Sequence, residues 1–413
     1  MRVVRNIDSL KKIIEKRRVR RDSVDFKVSK IIKKVKEFGD KALVDYTKKF
    51  DKVKIPVKGI QVSESEISAA FGDLNSSIIS SFKIAIENIT KFYKTQIPKT
   101  KRVKDPNGKK LISRYIPLAK VGVYVPAGTA PLVSSVYMSV IPALVAGVEE
   151  IVLVSPPNKE GRINPFILAI ASILKIKKIY RIGGAQAIAA LAYGTESIEK
   201  VDKIVGPGNE YVTEAKRQVF GQVDIDMLAG PSEVVVVASS NSNVDYIIAD
   251  LEAQIEHHKG LGIVVTNSKR IIRSLRQSKV TGYALRVRNL DKAAKVVNEI
   301  APEHLAILTK KPHALVSKIK NAGAIFLGDY SPVALGDYVA GPSHVLPTGG
   351  SSRFFSTLSV KDFLKENHII RYTKKAVIEE FETLEKIAGL EGMKKHIESV
   401  RKRIESDLNK GVN

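Results

Sequence analysis

The stretch from residue 120 to 240 alternates short β-branched runs with helical patterns, and this alternation constrains the fold more than any other feature of the chain. It predicts βαβ units that build a largely parallel sheet covered by helices. The predicted strands lie at 120–125, 150–155, 177–182, 202–206 and 233–239. The helices between them should begin near Ser134, Asn164, Ala185 and Asn209. We therefore expect an α/β protein.

A second alternating region runs from about 244 to 330. Its predicted elements are a helix at 244–258, a strand at 262–266, a helix at 290–300 and strands at 305–309 and 323–328. Since a single core rarely grows beyond about 250–300 residues, we expect at least two domains, with short helical segments at both ends of the chain. The predicted division is a helical segment at 1–21, a first α/β domain at 22–122 and 234–357, a second at 123–233, and a charged helical arm at 358–413.

Composition excludes several classes of protein. The 413 residues include no cysteine, which rules out disulfides, thiolate metal sites, iron–sulfur clusters and a covalent thiol nucleophile. The first residues, MRVVRNIDSLKKII, lack an apolar segment of signal-peptide length. The weakly polar stretch 131–148 contains serines and an internal proline, so it predicts a buried helix rather than a membrane span. We expect a cytoplasmic protein without a membrane partner.

The formal charge of +25 raises nucleic acid as a rival partner, because basic proteins collect phosphate backbones. The lysines and arginines are, however, scattered along amphipathic helices such as 9–22 and 397–410. Aromatic residues are few and tryptophan is absent, so little is available to stack on bases. The charge therefore indicates solvated helix faces rather than nucleic-acid binding.

Three glycine-containing loops predict a ligand crevice. No G-x-G-x-x-G sequence follows a strand, so the dinucleotide fingerprint is missing. Instead, 121–131, 181–191 and 204–219 each join a predicted strand to a helix start through glycine. Any one of them is compatible with an ordinary tight turn. Together they lie at the carboxyl ends of strands of one sheet, where α/β proteins bind ligands.

The segment DLEAQIEHHKG, at 250–260, brings two histidines to the end of the predicted helix at 244–258. At about 100° per residue, Gln254 and His257 share a flank, whereas His258 turns back toward the apolar stripe. A Q-x-x-H pair is compatible with two metal ligands or with a polar helix end. The spacing alone leaves both open.

Four further candidates lie downstream. Glu303 and His304 stand side by side before a strand, where they form either a pair of general bases or a polar turn. Asp337 and His344 occupy the Gly/Pro/Ser-rich segment 336–350, a composition typical of functional loops.

Glu391 and His396 lie in a helical region, where histidines often simply pack at an interface. Imidazoles, carboxylates and an amide oxygen suit Zn²⁺ or Mn²⁺. The residues taken alone indicate a metal-dependent α/β enzyme, and a hydrolase using the same His/Asp cluster remains an alternative.

Long motifs across nearly the whole chain resemble the histidinol dehydrogenase family. They are VGVYVPAGTAPL, GGAQAIAALAYGTESI, VDKIVGPGNEYVTEAKRQV, AGPSEVVVVA, DLEAQIEH, APEHL, GDYSPVALGDYVAGPSHVLPT and LEGMKKH, in that order. The resemblance implies an NAD-dependent enzyme that oxidises L-histidinol through L-histidinal to L-histidine, the last step of histidine biosynthesis. It also implies two incomplete Rossmann-like domains with parallel sheets, plus small helical N-terminal and C-terminal arms, and this incompleteness explains the missing fingerprint.

The resemblance also implies roles for individual residues. One Zn²⁺ per active site would be held by Gln254, His257, Asp337 and His396, which thereby contact the substrate. Glu303 and His304 match the catalytic pair: His304, itself a substrate contact, takes the alcohol proton and Glu303 helps to activate water. Further substrate contacts match Ser232, His344 and Glu391. Contacts to NAD match Tyr124, Gln186 and Asn209.

Members of the family are intertwined homodimers with active sites at the subunit interface. The resemblance therefore implies that Glu391 and His396 serve the partner's site and that a monomer is inactive. His258 departs from the family pattern, and we expect it either to compete for the metal or merely to pack. Since no cysteine can form a thiohemiacetal, oxidation of the aldehyde as its hydrate is the remaining chemistry.

Overall fold

The computed structural model describes residues 1–17, 24–72, 74–127, 131–257 and 259–405. Internal contacts divide the chain into two compact units, one formed by Met1–Ile97 with Leu118–Phe363 and the other by Pro98–Pro117 with Leu364–Asn413. His258, singled out in the sequence, lies outside the described residues.

The first unit contains a six-stranded sheet in which every pairing is parallel. Its strands, in spatial order, are β1 (Arg2–Val4), β11 (Tyr283–Arg286), β10 (Leu261–Thr266), β9 (Glu233–Ala238), β12 (His304–Leu308) and β13 (Ala324–Leu327). Every residue of β9 and β12 is buried, as expected of inner strands in a parallel sheet covered on both faces.

A second, five-stranded parallel sheet lies in the same unit. Its strands, in spatial order, are β6 (Lys178–Tyr180), β5 (Glu150–Val154), β4 (Lys120–Tyr124), β7 (Lys203–Val205) and β8 (Asp224–Ile225). The chain builds outward from β4 to one side and then returns to add β7 on the other. This reversal makes the carboxyl end of β4 a switch point, where α/β sheets open a ligand crevice.

Thirteen helices of the first unit accompany these strands in the described ranges. They are α1 (Ile7–Arg17), α2 (Asp25–Phe50), α3 (Glu64–Gly72), α4 (Ser76–Lys94), α5 (Ser134–Ala146), α6 (Pro165–Ile173), α7 (Gly184–Tyr193), α8 (Glu210–Val219), α9 (Val244–Glu256), α10 (Lys269–Gln277), α11 (Leu290–Ile300), α12 (His313–Val316) and α13 (Val333–Tyr338). The predicted helix starts are confirmed, and the side chains of Asn164 and Asn209 cap α6 and α8 as their sequences indicate.

The predicted buried helix near 131–148 is also confirmed. Ten residues of α5, from Ser134 to Ala143, are buried, including the internal Pro142. In the described part of the chain, no helix is both long and apolar enough to cross a membrane.

The helices between residues 25 and 94 pack differently from the expectation that they belong with the first α/β domain. Helix α2 contacts α7 and α8, α3 contacts α6, and α4 contacts α5, all of which cover the second sheet. The buried apolar face of α2, including Val28, Ile32 and Val35, joins the core of that sheet. An amphipathic pattern identifies a buried face but not the sheet that covers it.

The second unit contains an antiparallel three-stranded sheet and two helices in the described residues. Its elements are β2 (Lys101–Lys104), β3 (Lys110–Pro117), β14 (Leu364–Arg371), α14 (Lys374–Leu390) and α15 (Lys394–Glu405). The sequence predicts a purely helical arm from about 358, whereas the structure has an eight-residue strand there. This strand pairs with residues about 250 positions earlier in the chain, so no local pattern announces it.

Candidate active site

The end of α9 differs from its prediction in a way that affects a proposed ligand. The helix ends at Glu256, and His257 has extended dihedrals (φ −69°, ψ 139°), so the helical wheel does not apply to it. The chain turns at once into β10, with the Gly260 N–H donating to the His257 carbonyl over 2.8 Å. A Cβ at Gly260 would lie 1.9 Å from the Gln254 carbonyl oxygen. Glycine thus permits the turn that places His257 at the helix end.

A hydrogen-bonded chain links three of the predicted residues. The Gln254 amide Nε2 donates to Ser232 Oγ over 2.8 Å, and Ser232 Oγ donates to Glu303 Oε2 over 2.5 Å. The same carboxylate oxygen accepts the Glu233 N–H over 2.9 Å. Since β9 and β12 are parallel neighbours, Ser232 and Glu303 meet at the amino-terminal edge of the first sheet. Glu303 is buried, and two donors fix its orientation.

His304 lies buried between two carboxylates. Its Nδ1 is 3.6 Å from Glu303 Oε2 and its Nε2 is 3.5 Å from Asp337 Oδ1. Among the described residues neither ring nitrogen has a hydrogen-bond partner. Burial lowers the pKa of His304, but the charges of Glu303 and Asp337 outweigh this effect and raise the pKa to about 8. An imidazole with both nitrogens unsatisfied beside two carboxylates is equipped to exchange a proton with a bound ligand.

Asp337 and His344 come from the segment after β13, which the sequence predicts to be a loop. Asp337 lies instead in the short helix α13, and His344 follows it in irregular structure. His344 Nε2 lies 3.1 Å from Ser134 Oγ, at the start of α5. Burial lowers the pKa of His344, and the nearby imidazoles of His304 and His257 act in the same direction. His344 is therefore a neutral hydrogen-bonding group beside His304.

Helix α4 holds this segment in place. The Ser343 N–H donates to Tyr93 Oη over 2.8 Å, and Tyr93 Oη donates to the Leu358 carbonyl over 2.9 Å. Asn88 Nδ2 donates to the Val339 carbonyl over 3.0 Å. Tyr93 is almost completely buried, so its two bonds fix the backbone next to His344. No sequence signal marks Tyr93, whose spacing is that of an ordinary core position.

The three glycine-containing loops line one cavity of about 1130 Å³ at the carboxyl edge of the second sheet, as their positions predict. Tyr124, Gln186 and Asn209 all line it, and so do Glu256 and His257 from the end of α9. The volume exceeds the roughly 300–1,000 Å³ usual for small-ligand pockets. It can therefore admit an extended ligand such as a dinucleotide, with one end beside His257.

Two of these cavity residues carry structural roles as well. Tyr124 Oη accepts the Gly184 N–H over 3.1 Å, and burial raises the pKa of Tyr124 to about 12. Asn209 Oδ1 caps α8 by accepting two backbone N–H groups. Gln186 is buried, and its Oε1 has no hydrogen-bond partner in the described ranges. An orphaned amide oxygen in the cavity wall fits a ligand that donates a hydrogen bond, such as a nicotinamide carboxamide.

The remaining predicted residues lie in the second unit. Glu391 follows α14 and His396 lies in α15, and both are exposed. Outside the gaps at 18–23, 73, 128–130, 258 and 406–413, no group of three His, Asp or Glu side chains could hold a metal ion. The side chains of Gln254, His257 and Asp337 nevertheless carry atoms of the kind that bind zinc. The hydrogen bond to Ser232 uses the Gln254 Nε2, so it does not involve the Gln254 amide oxygen. These three side chains would need a fourth ligand from another segment to complete a zinc site.

Two parallel sheets, with an acid–base group at one edge and a ligand cavity at another, are the architecture of an α/β enzyme. The family model for histidinol dehydrogenase matches residues 14–404. The histidinol dehydrogenase of Bacillus subtilis is 47% identical over 395 residues, covering 91% of this chain and 92% of the relative. That of Clostridium acetobutylicum is 46% identical over 392 residues, covering 90% of each.

A solved structure agrees. The crystal structure of histidinol dehydrogenase from Elizabethkingia anophelis superposes with a TM-score of 0.91 at 36% identity and 99% coverage of both chains. An acetylating aldehyde dehydrogenase from Geobacillus thermoglucosidasius, at 11% identity and a TM-score of 0.50, shares only the fold. The chain belongs to the histidinol dehydrogenase family, and it is therefore an oxidoreductase.

Proposed function

We propose that this protein oxidises L-histidinol to L-histidine through L-histidinal, with NAD⁺ as oxidant, as the last step of histidine biosynthesis. The observation that carries the proposal is the buried His304 between Glu303 and Asp337, with both ring nitrogens unsatisfied among the described residues. Family membership supplies the substrate class.

In the first oxidation, the neutral form of His304, which predominates above its pKa of about 8, accepts the proton of the substrate hydroxyl while a hydride leaves the carbon that bears this hydroxyl. Burial opposes the charge on the imidazolium that results, but the neighbouring charges of Glu303 and Asp337 outweigh this effect and stabilise it. His344, held neutral by burial, can hydrogen-bond a polar group of the substrate without adding charge. The product of this step is the aldehyde.

In the second oxidation, the aldehyde reacts as its hydrate. Glu303 Oε2 already accepts hydrogen bonds from Ser232 and Glu233, so the carboxylate is oriented before water arrives. It assists removal of a proton from the attacking water, and His304 accepts the hydroxyl proton of the hydrate as the second hydride leaves. The chain has no cysteine to take a covalent route.

Two groups that the protein would bind complete the chemistry. Gln254, His257, Asp337 and His396 would hold one Zn²⁺, and the ion, when bound, would help to orient the imidazole and amino nitrogens of the substrate. Tyr124, Gln186 and Asn209 would contact NAD⁺, whose chemistry when bound would be to accept one hydride in each oxidation. The unpartnered Gln186 Oε1 in the cavity supports this cofactor role.

We further propose a homodimer in which Glu391 and His396 act in the active site of the partner copy. This arrangement is supported by the incomplete ligand set of the first unit and by the exposure of both residues in the described part of the chain. An isolated monomer should then bind zinc poorly and be inactive.

One assay tests the function. The protein is incubated with L-histidinol and NAD⁺, and NADH absorbance is followed before and after chelation of divalent metal. Formation of two NADH per histidinol, abolished by the chelator and restored by Zn²⁺, supports the proposal. Absence of NADH rejects it, and chelator-sensitive ester or amide hydrolysis would instead support a metal-dependent hydrolase.

A further inference from the structure

The cavity at the second sheet contains a carboxylate that the proposed reaction does not use. Asp51 ends α2, where its N–H donates to the Thr47 carbonyl, and its side chain lines the cavity together with Tyr124. Its Oδ2 is buried and has no hydrogen-bond partner in the described part of the chain. Leaving a buried oxygen unsatisfied destabilises the folded state, so such an atom calls for an explanation.

The other charges around the cavity make the position of Asp51 unusual. Lys27, Lys30 and Lys49 line the same cavity, yet none of them forms an ion pair with Asp51 within the described ranges. The ammonium of Lys30 lies 4.2 Å from the ring centre of Phe26, and that of Lys49 lies 5.5 Å from the ring centre of Phe50. The wall therefore offers separate positive groups for phosphates and, at Asp51, a carboxylate with a buried oxygen that no described residue contacts by a hydrogen bond.

These chemistries match different parts of a dinucleotide. Ammonium groups suit a pyrophosphate, and a carboxylate accepts hydrogen bonds from the two hydroxyls of a ribose. The same carboxylate repels a phosphate esterified to the 2′ oxygen, whereas the three lysines would otherwise attract it. We infer that Asp51 binds a ribose diol in this cavity and selects NAD⁺ against NADP⁺.

Burial supports this assignment independently of the contacts. Desolvation raises the pKa of Asp51 to about 6, so the carboxylate is charged at neutral pH. The folded protein thus keeps a costly charge at the cavity wall. The assignment rests on the proposed cofactor role of the cavity, and the experiment separates the two.

Binding of NAD⁺ and NADP⁺ is measured by calorimetry at pH 8 with the full-length protein, its Asp51→Asn variant and an Asp45→Asn control. Asp45 lies on the same helix but is half exposed, pairs with Lys34 and does not line the cavity. The unmodified protein and the control should prefer NAD⁺ by at least tenfold. Asp51→Asn should reduce the ratio by at least tenfold, mainly through tighter NADP⁺ binding.

A second measurement needs no variant. The unmodified protein should bind ADP-ribose at least tenfold more tightly than its 2′-phosphorylated form. Two results would overturn the role of Asp51 alone. One is equal affinity for ADP-ribose and its 2′-phosphorylated form. The other is a preference for NAD⁺ over NADP⁺ that Asp51→Asn leaves unchanged while NAD⁺ still binds. Failure of NAD⁺ to bind the unmodified protein would overturn the cofactor proposal and the selectivity with it.

Discussion

His304 Nε2 lies 3.5 Å from Asp337 Oδ1, so the proposed proton acceptor and a proposed zinc ligand are direct neighbours. Asp337 raises the pKa of His304 in the metal-free chain. Asp337→Asn should therefore lower the pKa of this imidazole below about 8 in chelator-treated protein, as measured by NMR titration. The Asp329→Asn variant changes an exposed carboxylate and should leave the pKa unchanged. An unshifted His304 resonance in Asp337→Asn would contradict the contact.

The two half-reactions should respond differently to loss of the Glu303 carboxylate. Glu303→Gln preserves the size and shape of the side chain, and its amide oxygen can still accept the hydrogen bond from Ser232. The amide cannot, however, take a proton from water. Oxidation of L-histidinal should fall by roughly 10²–10⁴-fold, the usual contribution of a general base. Oxidation of L-histidinol should fall much less. Rapid-mixing assays started from each substrate compare the two, and equal losses would argue against the assigned role.

Zinc content should depend on the second unit. His396→Ala should lower bound zinc, measured by atomic absorption after dialysis, because one proposed ligand is lost. His368→Ala, which changes an exposed histidine on β14 of the same unit, is the matched control and should retain the metal. Mixing inactive His396→Ala chains with inactive His304→Ala chains should restore part of the activity if the sites are shared between subunits. No restoration in verified mixed dimers would reject sharing.

Asp51→Asn should stabilise the free protein at neutral pH. Because the folded pKa is about 6, above the ordinary 3.8, the folded state binds more protons than the unfolded state between about pH 4 and 6. The free energy of unfolding of the unmodified protein therefore falls as pH rises through this window. Above it, the variant should be more stable by on the order of 1–2 kcal/mol after allowance for partial exposure.

At about pH 4 and below, the two proteins should have nearly the same free energy of unfolding. Asp51 is then protonated in the folded state, so there is almost no free-energy cost from a buried charge. Urea denaturation at acidic and at slightly alkaline pH measures the difference. An equal difference in stability under both conditions would show that the carboxylate is not desolvated.

Gly260→Ala should damage both stability and metal binding. The new methyl group would lie 1.9 Å from the Gln254 carbonyl oxygen, so the end of α9 must move. We expect a loss of about 2–4 kcal/mol, typical of strong backbone conflicts. Gly72→Ala at the end of α3 meets no atom within 4 Å and should be neutral or stabilising by up to about 1 kcal/mol. Thermal unfolding and zinc analysis compare the variants, and similar behaviour of the two would contradict the steric conflict at the end of α9.

The sequence predicts strands and helices of the two parallel sheets well because buried strands are continuous β-branched runs bounded by helix caps. It does not predict which sheet α2 covers, since an amphipathic face carries no information about its partner. Strand β14 escapes prediction for a related reason: its partner β3 lies about 250 residues away.

The candidate site likewise divides into residues that local sequence identifies and residues that only long-range contacts reveal. Glu303, His304 and the glycine-containing loops stand out by residue type and position. Helical periodicity places His257 on the flank of a helix, although the turn at Gly260 ends that periodicity at Glu256. Tyr93 and Asp51 have no local signature, because their significance depends on contacts and on an unpartnered oxygen that only the tertiary structure reveals.

The position of β1 has a consequence for folding during synthesis. All strands of the second sheet lie between residues 120 and 225, so that sheet can form while the rest of the chain is still being translated. Strand β1 pairs with β11, which begins about 280 residues later in the chain, at Tyr283. The edge of the first sheet must therefore wait for most of the chain, and closing so long a loop is intrinsically slow. Until β11 has been synthesised, β1 lacks its partner strand, and an unpaired strand edge is prone to pair with other chains.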